Sequence, residues 1–248
     1  MEFILPDWPA SQRIQSLVTT RLGGVSEGPY ESFNTALHVG DVERHVEENR
    51  AALKTEVGGD IQWLRQVHGS EVEKIRRAQH LVPTADAVYT STPGLACAIH
   101  TADCLPILIC DINGTEVAAA HAGWRGLAAG IVGNTVRSFC SPAAQLMAWL
   151  GPAISVRHFA VGVEVLQHYR DRLGQLAITE EQLEGAFHRG EPGKYRLDLY
   201  ALARAELKAS GVLHVYGGEF CTFSDESRFF SYRRDGVCGR MASVIRIR

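Results

Sequence analysis

The sequence has no apolar stretch long enough to cross a membrane, because no run in its 248 residues approaches the roughly 20 that a spanning helix needs. Its first residues, MEFILPDWPASQR, have no basic segment before the short apolar run that stops at Pro6, unlike a secretory signal. A strong charge of one sign is also missing, since 25 basic and 28 acidic residues leave a net charge of −3. We therefore expect a cytoplasmic protein that binds neither membranes nor nucleic acid.

Repeats, low-complexity tracts and abrupt changes in composition are equally missing from the chain. The hydrophobic fraction of 46% is ordinary for a globular protein and is sufficient for a buried core. Short apolar runs alternate with helical patterns, which favours a single α/β domain over residues 1–248. The six cysteines are scattered and no signal peptide accompanies them, so we expect reduced thiols.

The most informative stretch covers residues 96–126 and reads ACAIHTADCLPILICDINGTEVAAAHAGWRG. LPILIC and EVAAA are typical of two adjacent strands, and Asn113-Gly114 between them favours a tight type I′ turn. Such a hairpin places Cys104 and His121, each at a strand end, in the same region of a sheet. A helical period begins near residue 126, so the Gly-rich segment after His121 leads into a helix that packs on the sheet.

Two other patterns frame this stretch. The runs QWLRQV (62–67) and EVEKI (71–75) predict a second hairpin with His68 at its tip. Residues 43–57 carry a modest apolar stripe and predict a helix with Asp41 as its N-cap.

The first candidate site consists of His68, Cys104 and His121. Two imidazoles and one thiolate suit Zn²⁺, and three protein ligands leave the fourth tetrahedral position open for water or substrate. The same pair of Cys104 and His121 also fits a nucleophile and its base without any metal. A third alternative is that these residues are buried structural side chains, and their spacing does not distinguish the three.

The second candidate site is an anion site at the start of the helix that follows His121. Gly123 and Arg125 precede or open this helix, whose unpaired N–H groups suit phosphate, although a tight strand-to-helix turn has the same pattern. Asp103, next to Cys104, is a candidate proton carrier if the preceding strand ends by Thr101. Further polar residues that can line the same pocket are Arg233, Arg21, Asn34 and His38.

Several linked motifs resemble the bacterial YfiH family, also called the laccase-domain or polyphenol-oxidase-like family. They are QVHG (66–69), TADCLPILICD (101–111), HAGWRG (121–126), FFSYRRDG (229–236) and GRMAS (239–243). The segments TTRLGGVSEGPYESFN (19–34) and HVGD (38–41) match as well, so the resemblance spans nearly the whole chain.

The resemblance implies a single-domain α/β/α sandwich around a mixed β-sheet, similar to toxin-type cysteine deamidases. It implies one Zn²⁺ held by His68, Cys104 and His121. It also implies phosphorolysis of adenosine, inosine, guanosine and S-methyl-5′-thioadenosine, together with hydrolytic deamination of adenosine to inosine. The partners would be purine nucleosides and inorganic phosphate, with the oligomeric state left open.

The alternatives come from other functional classes. The older laccase label implies copper and phenol oxidation, but a laccase needs several copper centres with many imidazole ligands. A cysteine amide hydrolase, for example one that edits a cell-wall precursor, would use Cys104 and His121 without zinc. A metal-dependent scaffold would need the metal for folding and turn over no substrate.

Overall fold

The computed structural model describes residues 1–79 and 81–248. In chain order the strands are β1 (Phe3–Ile4), β2 (Ile14–Thr19), β3 (Asp60–Gln62), β4 (Val72–Ile75), β5 (Ala87–Thr90), β6 (Leu95–Thr101), β7 (Leu105–Asp111), β8 (Val117–Ala122), β9 (Leu146–Leu150), β10 (Ala160–Gly162), β11 (Phe187–Arg189), β12 (Lys194–Leu197), β13 (His214–Gly217) and β14 (Met241–Ile247). The α-helices are α1 (Glu43–Val57), α2 (Trp124–Ala128), α3 (Ile131–Val136), α4 (Val163–Arg172), α5 (Glu180–Ala186), α6 (Leu199–Ala209) and α7 (Tyr232–Asp235). Over the described residues, no helix has the length and apolar character needed to span a membrane.

The strands form three sheets. One has five strands in the order β1-β2-β14-β6-β3, one has six in the order β13-β9-β7-β8-β5-β4, and a small one has the order β10-β12-β11. The two large sheets are mixed, because β3 pairs parallel to β6, β4 to β5 and β13 to β9, while their other pairs are antiparallel. The α/β class predicted from the sequence is confirmed.

The two large sheets pack face to face, with helices on both outer surfaces. In β8, Val117 and Ala119 belong to the cluster between the sheets, whereas Ala118 and Ala120 face the cluster formed with α2 to α6. Strand β6 alternates in the same way between the inter-sheet cluster and a third cluster shared with Leu53 of α1. Successive side chains of a strand point to opposite faces. The central strands are therefore buried on both sides, and their sequences are apolar without alternation.

The predicted hairpin between β7 and β8 is confirmed, with Leu105 opposite Ala122 and Cys110 opposite Val117. The connection is longer than the tight turn that Asn113-Gly114 favours, since residues 112–116 separate the two strands. The Asp111 carboxylate stabilises this loop, because it accepts hydrogen bonds from the backbone N–H groups of residues 113, 115 and 116 at 2.6–3.1 Å.

The second predicted hairpin is wrong. Gln62 ends β3 in the five-stranded sheet, and Val72 begins β4 in the six-stranded sheet, so the segment with His68 crosses between sheets. Each strand pairs in parallel with a neighbour that is buried along its whole length, β3 with β6 and β4 with β5. Asp41 does not cap α1 either, because the N-cap residue is Val42 and it has no side-chain cap.

Candidate active site

Three donor side chains come together where β7 and β8 meet the His68 loop. Cys104 directly precedes β7, and His121 lies opposite Pro106 near the end of β8. One donor atom from each of His68, Cys104 and His121 lies within 4.8 Å of the other two, and Cys104 Sγ is 3.8 Å from His68 Nε2. We call these three residues the triad.

A fully buried carboxylate, Asp86, holds two members of the triad in place. Its Oδ1 accepts a hydrogen bond from His121 Nδ1 at 2.9 Å. The carboxylate also accepts from the backbone N–H groups of Val67, His68 and Gly69 at 3.2, 2.9 and 2.7 Å. Because Nδ1 of His121 is engaged, its Nε2 is left for the ligand side of the ring. Asp86, just before β5, thus orients both the His121 ring on β8 and the loop that carries His68.

The charges of the triad are coupled. Burial alone raises the pKa of the Cys104 thiol, but the positive charge of His121 and hydrogen bonds from both triad imidazoles outweigh it and lower the pKa to about 6. Burial alone lowers the pKa of His121, and the Cys104 thiolate and Asp86 raise it to about 9. For Asp86, burial opposes ionisation, yet the hydrogen bonds from His121 and the backbone N–H groups lower its pKa. The site therefore favours a thiolate, the form that binds metals and acts as a nucleophile.

The backbone around the triad is unusual. Among the described non-glycine residues, positive φ is found at His68, with φ 59°, and at Asp103, with φ 95°. Such conformations are held by surrounding structure and cluster at functional sites. The side chains of Cys104 and His68 lie close to the backbone of Gly123. A Cβ at this position would lie 2.8 Å from Cys104 Sγ and 3.3 Å from His68 Cδ2, so glycine leaves the space that the two side chains need.

Asp103 anchors a distant segment. Its Oδ1 accepts hydrogen bonds from the hydroxyls of Thr222 and Ser231 at 2.6 and 2.7 Å, and its Oδ2 accepts from the backbone N–H of Arg233 at 2.6 Å. The strand does end at Thr101, as a proton-carrying role requires, but both carboxylate oxygens are occupied by structural donors. Asp103 therefore anchors the segment of Thr222, Ser231 and Arg233 to the cavity wall, and its role as a proton carrier stays a prediction.

The triad lines a cavity of about 550 Å³. Aromatic and aliphatic side chains form much of its wall, and basic side chains occupy other parts. The residues that line it are His38, Gln66, His68, His100, Thr101, Ala102, Asp103, Cys104, His121, Trp124, Arg125, Ile154, Phe159, Leu199, Tyr232, Arg233 and Arg240. A volume in this range suits a small organic ligand.

Three of the basic residues predicted for the pocket, His38, Arg125 and Arg233, line the cavity. The guanidinium of Arg125 lies 4.2 Å from the centre of the Trp124 ring. That of Arg233 donates to the Ala160 carbonyl at 2.9 Å.

Arg21 and Asn34, which the sequence also predicts for the pocket, are not among the residues that line this cavity. Arg21 donates to the carbonyls of Glu31 and Glu226 at 3.0 and 3.3 Å and joins two loops instead. Asn34 is fully buried, and its Oδ1 accepts from the backbone N–H of Arg240 at 3.0 Å.

A family model described as multi-copper polyphenol oxidoreductase laccase matches residues 15–248. The Escherichia coli K12 protein named purine nucleoside phosphorylase YfiH is 45% identical over 248 residues, which cover 98% of this chain and 98% of that protein. The chain belongs to the YfiH family.

Other comparisons agree with membership of the YfiH family. A Pseudomonas aeruginosa protein, also named a purine nucleoside phosphorylase, is 49% identical over 243 residues, covering 98% of this chain and 97% of its own. The crystal structure of a Neisseria meningitidis protein superposes with a TM-score of 0.94 at 46% identity and covers 100% of this chain and 99% of that one. The resemblance inferred from the sequence motifs is confirmed.

The laccase name of the YfiH family model implies several copper centres, and the side chains do not match that expectation. Within residues 1–79 and 81–248, the triad is the group of His, Cys, Asp or Glu residues whose donor atoms converge. Two imidazoles and a thiolate suit one tetrahedral ion with an open fourth position. The 3.8 Å between Cys104 Sγ and His68 Nε2 is close to the roughly 3.5 Å that such an ion's bond lengths imply. The residues therefore fit a single metal ion.

Proposed function

We propose that this chain is a cytoplasmic, zinc-dependent purine nucleoside phosphorylase that also deaminates adenosine to inosine. Its substrates would be adenosine, inosine, guanosine and S-methyl-5′-thioadenosine, with inorganic phosphate as co-substrate. The observation that carries the proposal is the triad on the wall of an aromatic cavity. The names of relatives that match nearly the whole chain support the same conclusion.

The cavity suits a purine nucleoside. Trp124, Phe159 and Tyr232 offer aromatic surface to the faces of a purine, and Ile154 and Leu199 add aliphatic surface. The remaining wall carries polar side chains that can form hydrogen bonds with the ribose hydroxyls. The volume of about 550 Å³ accommodates a nucleoside together with phosphate.

In phosphorolysis, a phosphate oxygen forms a bond to ribose C1′ while the bond from C1′ to purine N9 breaks. The purine leaves with the electron pair of that bond, and the proton that phosphate loses ends on the purine. The products are the free base and ribose 1-phosphate. The main contribution of a binding site to such a transfer is to position both reactants and to exclude water, and the cavity wall would have that task here.

In deamination, water adds to purine C6 and ammonia leaves, so adenosine becomes inosine. A zinc ion bound by His68, Cys104 and His121 would supply Lewis acidity and lower the pKa of water. The chain's own contribution is orientation: Asp86 holds the His121 ring and the loop of His68 at fixed positions.

The test is incubation of the zinc-loaded protein with adenosine, with and without inorganic phosphate, followed by chromatography of adenine, inosine and ribose 1-phosphate. We expect adenine only with phosphate, inosine without it, and the loss of both in a Cys104→Ala variant. An absence of all products from the zinc-loaded wild-type protein would contradict the proposal.

A second candidate is a cysteine amide hydrolase, and one observation favours it. Cys104, His121 and Asp86 lie in the order of a nucleophile, a base and a carboxylate that orients the base. Activity on an amide that survives removal of metal by a chelator, and that Cys104→Ala abolishes, would identify this alternative. Loss of nucleoside turnover on chelation, restored by zinc, would support the first proposal.

A further inference from the structure

A cluster of basic side chains lines the cavity away from the metal ligands. His38, His100 and Arg240 line the cavity, and Arg50 lies behind them with its guanidinium 4.4 Å from the centre of the Trp63 ring. We call these four residues the basic wall. His100 precedes Cys104 by four residues, so β6 and the turn after it link the basic wall to the triad.

The side chain of His100 is fixed but incompletely hydrogen-bonded. Its ring stacks on Trp63 with centroids 4.6 Å apart and planes 6° apart. The Gln66 side-chain amide holds the backbone of His100, accepting from its N–H at 2.7 Å and donating to its carbonyl at 2.8 Å. His100 is only 5% exposed, yet its Nε2 has no hydrogen-bond partner in the protein. Buried polar atoms of this kind are rare, and a bound ligand is a common reason for them.

The guanidinium groups of the basic wall face neutral acceptors. Arg240 donates to the carbonyls of Cys238 and Gly239 at 2.7 and 2.9 Å, and Arg50 donates to the carbonyl of Thr35 at 2.7 Å. The ion pairs found among the described residues include neither arginine.

The acidic side chain in the cavity wall is Asp103, which accepts hydrogen bonds from Thr222, Ser231 and Arg233 rather than from an arginine of the basic wall. The acidic group whose field acts on Arg50 is the exposed Glu47 of α1. Asp41 accepts instead from the side-chain amide of Asn34 at 2.8 Å. The positive charges of Arg50 and Arg240 therefore have no ion-pair partner among the described residues, which favours an anion in the cavity. Burial and the nearby arginine charges lower the pKa of His38 and His100, so these two imidazoles offer hydrogen bonds rather than charge.

The start of α2, where the sequence predicts an anion site, is a poorer place for phosphate. Helix α2 has only five residues, and the space beside Gly123 is filled by Cys104 Sγ and His68. The Arg125 guanidinium is stacked on Trp124. Two arginines and two histidines lie close to one another at the basic wall, and we therefore look there for the phosphate.

We propose that His38, His100 and Arg240, with Arg50 behind them, form an oxyanion subsite that binds a phosphate group. The inference rests on the proposed function for its reaction: inorganic phosphate held there would attack ribose C1′ of a nucleoside in the same cavity. The phosphate of a nucleotide has the same chemistry and is the other source of such a group. Asn34 is a positioning residue, because its Oδ1 holds the backbone N–H of Arg240 and also that of Ala36, two residues before His38.

The test measures phosphate binding directly, by calorimetric titration of the zinc-loaded protein with inorganic phosphate and, separately, with adenosine 5′-monophosphate. Arg240→Met and Arg50→Met each remove one charge, whereas Arg44→Met removes an exposed charge from the same helix as Arg50 and serves as the control. We expect Arg240→Met to raise the Kd for phosphate by roughly 10-fold to 100-fold, because a hydrogen bond to a charged group is lost. Arg50→Met should raise it less, and Arg44→Met should leave it unchanged.

A second variant guards against misfolding. Arg240→Lys keeps the charge and should retain more phosphate affinity than Arg240→Met, with the same zinc content and melting temperature in both. Binding of inorganic phosphate that depends on Arg240 assigns the subsite to the co-substrate. Binding of only the nucleotide, with the same dependence, assigns it to a nucleotide phosphate.

Two results would overturn the proposal. One is the absence of phosphate or nucleotide binding to the wild-type protein. The other is loss of binding in an Arg125→Met variant while Arg240→Met binds normally, which would place phosphate at α2. Binding that depends on Arg240 in a protein without nucleoside turnover would contradict the proposed reaction and leave the subsite standing.

Discussion

The triad and the basic wall occupy the same cavity but differ in how their polar groups are satisfied. Around the triad, His121 Nδ1 and three loop N–H groups all donate to Asp86. At the basic wall, His100 Nε2 has no partner in the protein, and the guanidinium of Arg240 donates to neutral acceptors, two carbonyls and the sulfur of Cys238. The polar groups of the triad are therefore held by hydrogen bonds within the protein, whereas those of the basic wall find their remaining partners in a ligand.

This contrast has an energetic reason. Metal ligands must be held at nearly fixed distances, and hydrogen bonds from a second layer of residues provide that rigidity. A site for a mobile anion must leave donors free, although each unsatisfied buried donor or acceptor costs about 1–3 kcal/mol in the absence of the anion. Substitutions in the first region should therefore act through metal binding, and those in the second through anion binding.

The largest effect is expected from Cys104→Ser, which replaces the thiolate by a hydroxyl. Because a neutral hydroxyl is a poor zinc ligand, we expect the zinc content to fall towards zero and nucleoside turnover to fall by more than about 100-fold. Metal analysis of the purified variant and the chromatographic assay measure the two effects. Cys140→Ser, at an exposed thiol, is the control. A full complement of zinc in Cys104→Ser would show that Cys104 is not a ligand.

Asp86→Asn should have the next largest effect and distinguishes orientation from simple stability. The amide cannot accept the same four hydrogen bonds, so we expect zinc affinity to fall by about 10-fold to 100-fold, as measured by competition with a chelator. Asp111→Asn is a matched control, because Asp111 is equally buried and also accepts several hydrogen bonds, but in the loop after β7. Equal losses of zinc affinity in both variants would mean that Asp86 acts only through stability.

The sequence alone predicts that Cys104 and His121 lie together, because both belong to one local element of the chain. Cys104 and His121 flank one hairpin, whose strands are apolar along their whole length, so pairing them brings the two side chains together. His68 was identified by residue type, but its loop crosses between sheets and forms no hairpin tip. The sequence does not single out Asp86, because a single acidic residue before a strand is common and forms no recognisable motif.

The contacts that the sequence does not reveal have a common physical origin, because they join distant parts of the chain. Asp103 is occupied by hydrogen bonds from Thr222, Ser231 and Arg233, all more than one hundred residues away. Asn34 is directed at the backbone of Arg240 in the same way. Local patterns place a strand or a turn, but they do not reveal which distant donor takes up a carboxylate or an amide. The division of the strands into two facing sheets is non-local for the same reason.

A smaller effect is expected from Gly123→Ala, which adds one carbon beside the triad. The new Cβ would lie 2.8 Å from Cys104 Sγ, and overpacking of this kind costs about 1–3 kcal/mol. We expect about 10-fold weaker zinc binding with little change in fold, seen by chelator competition and circular dichroism. Gly185→Ala is the control, since a Cβ there meets no atom within 4 Å and the helical position favours alanine by about 0.5–1 kcal/mol. Unchanged zinc affinity in Gly123→Ala would show that the triad tolerates displacement.

The smallest effect on zinc and phosphate binding is expected from Glu206→Gln, which tests what an unpartnered buried group does outside the cavity. Like His100, Glu206 of α6 is buried and has an unsatisfied atom, Oε1, but it does not line the cavity. Burial raises its pKa well above the usual value. The folded protein therefore keeps a proton that the unfolded chain releases above about pH 4.5. The stability this proton provides is complete below that pH and is lost as pH rises towards the folded pKa, by up to about 1.4 kcal/mol per pH unit. Glutamine cannot ionise. Urea unfolding should therefore show that Glu206→Gln is more stable than the wild-type protein at pH 8 and nearly equal to it at pH 4.

The control is Glu184→Gln, at an exposed ion pair, which should change the free energy of unfolding by less than about 1 kcal/mol. Phosphate should stabilise the wild-type protein through the basic wall, but it should not alter the difference in stability between Glu206→Gln and wild type. If that difference is the same at pH 4 and pH 8, the assignment of a buried proton to Glu206 is contradicted.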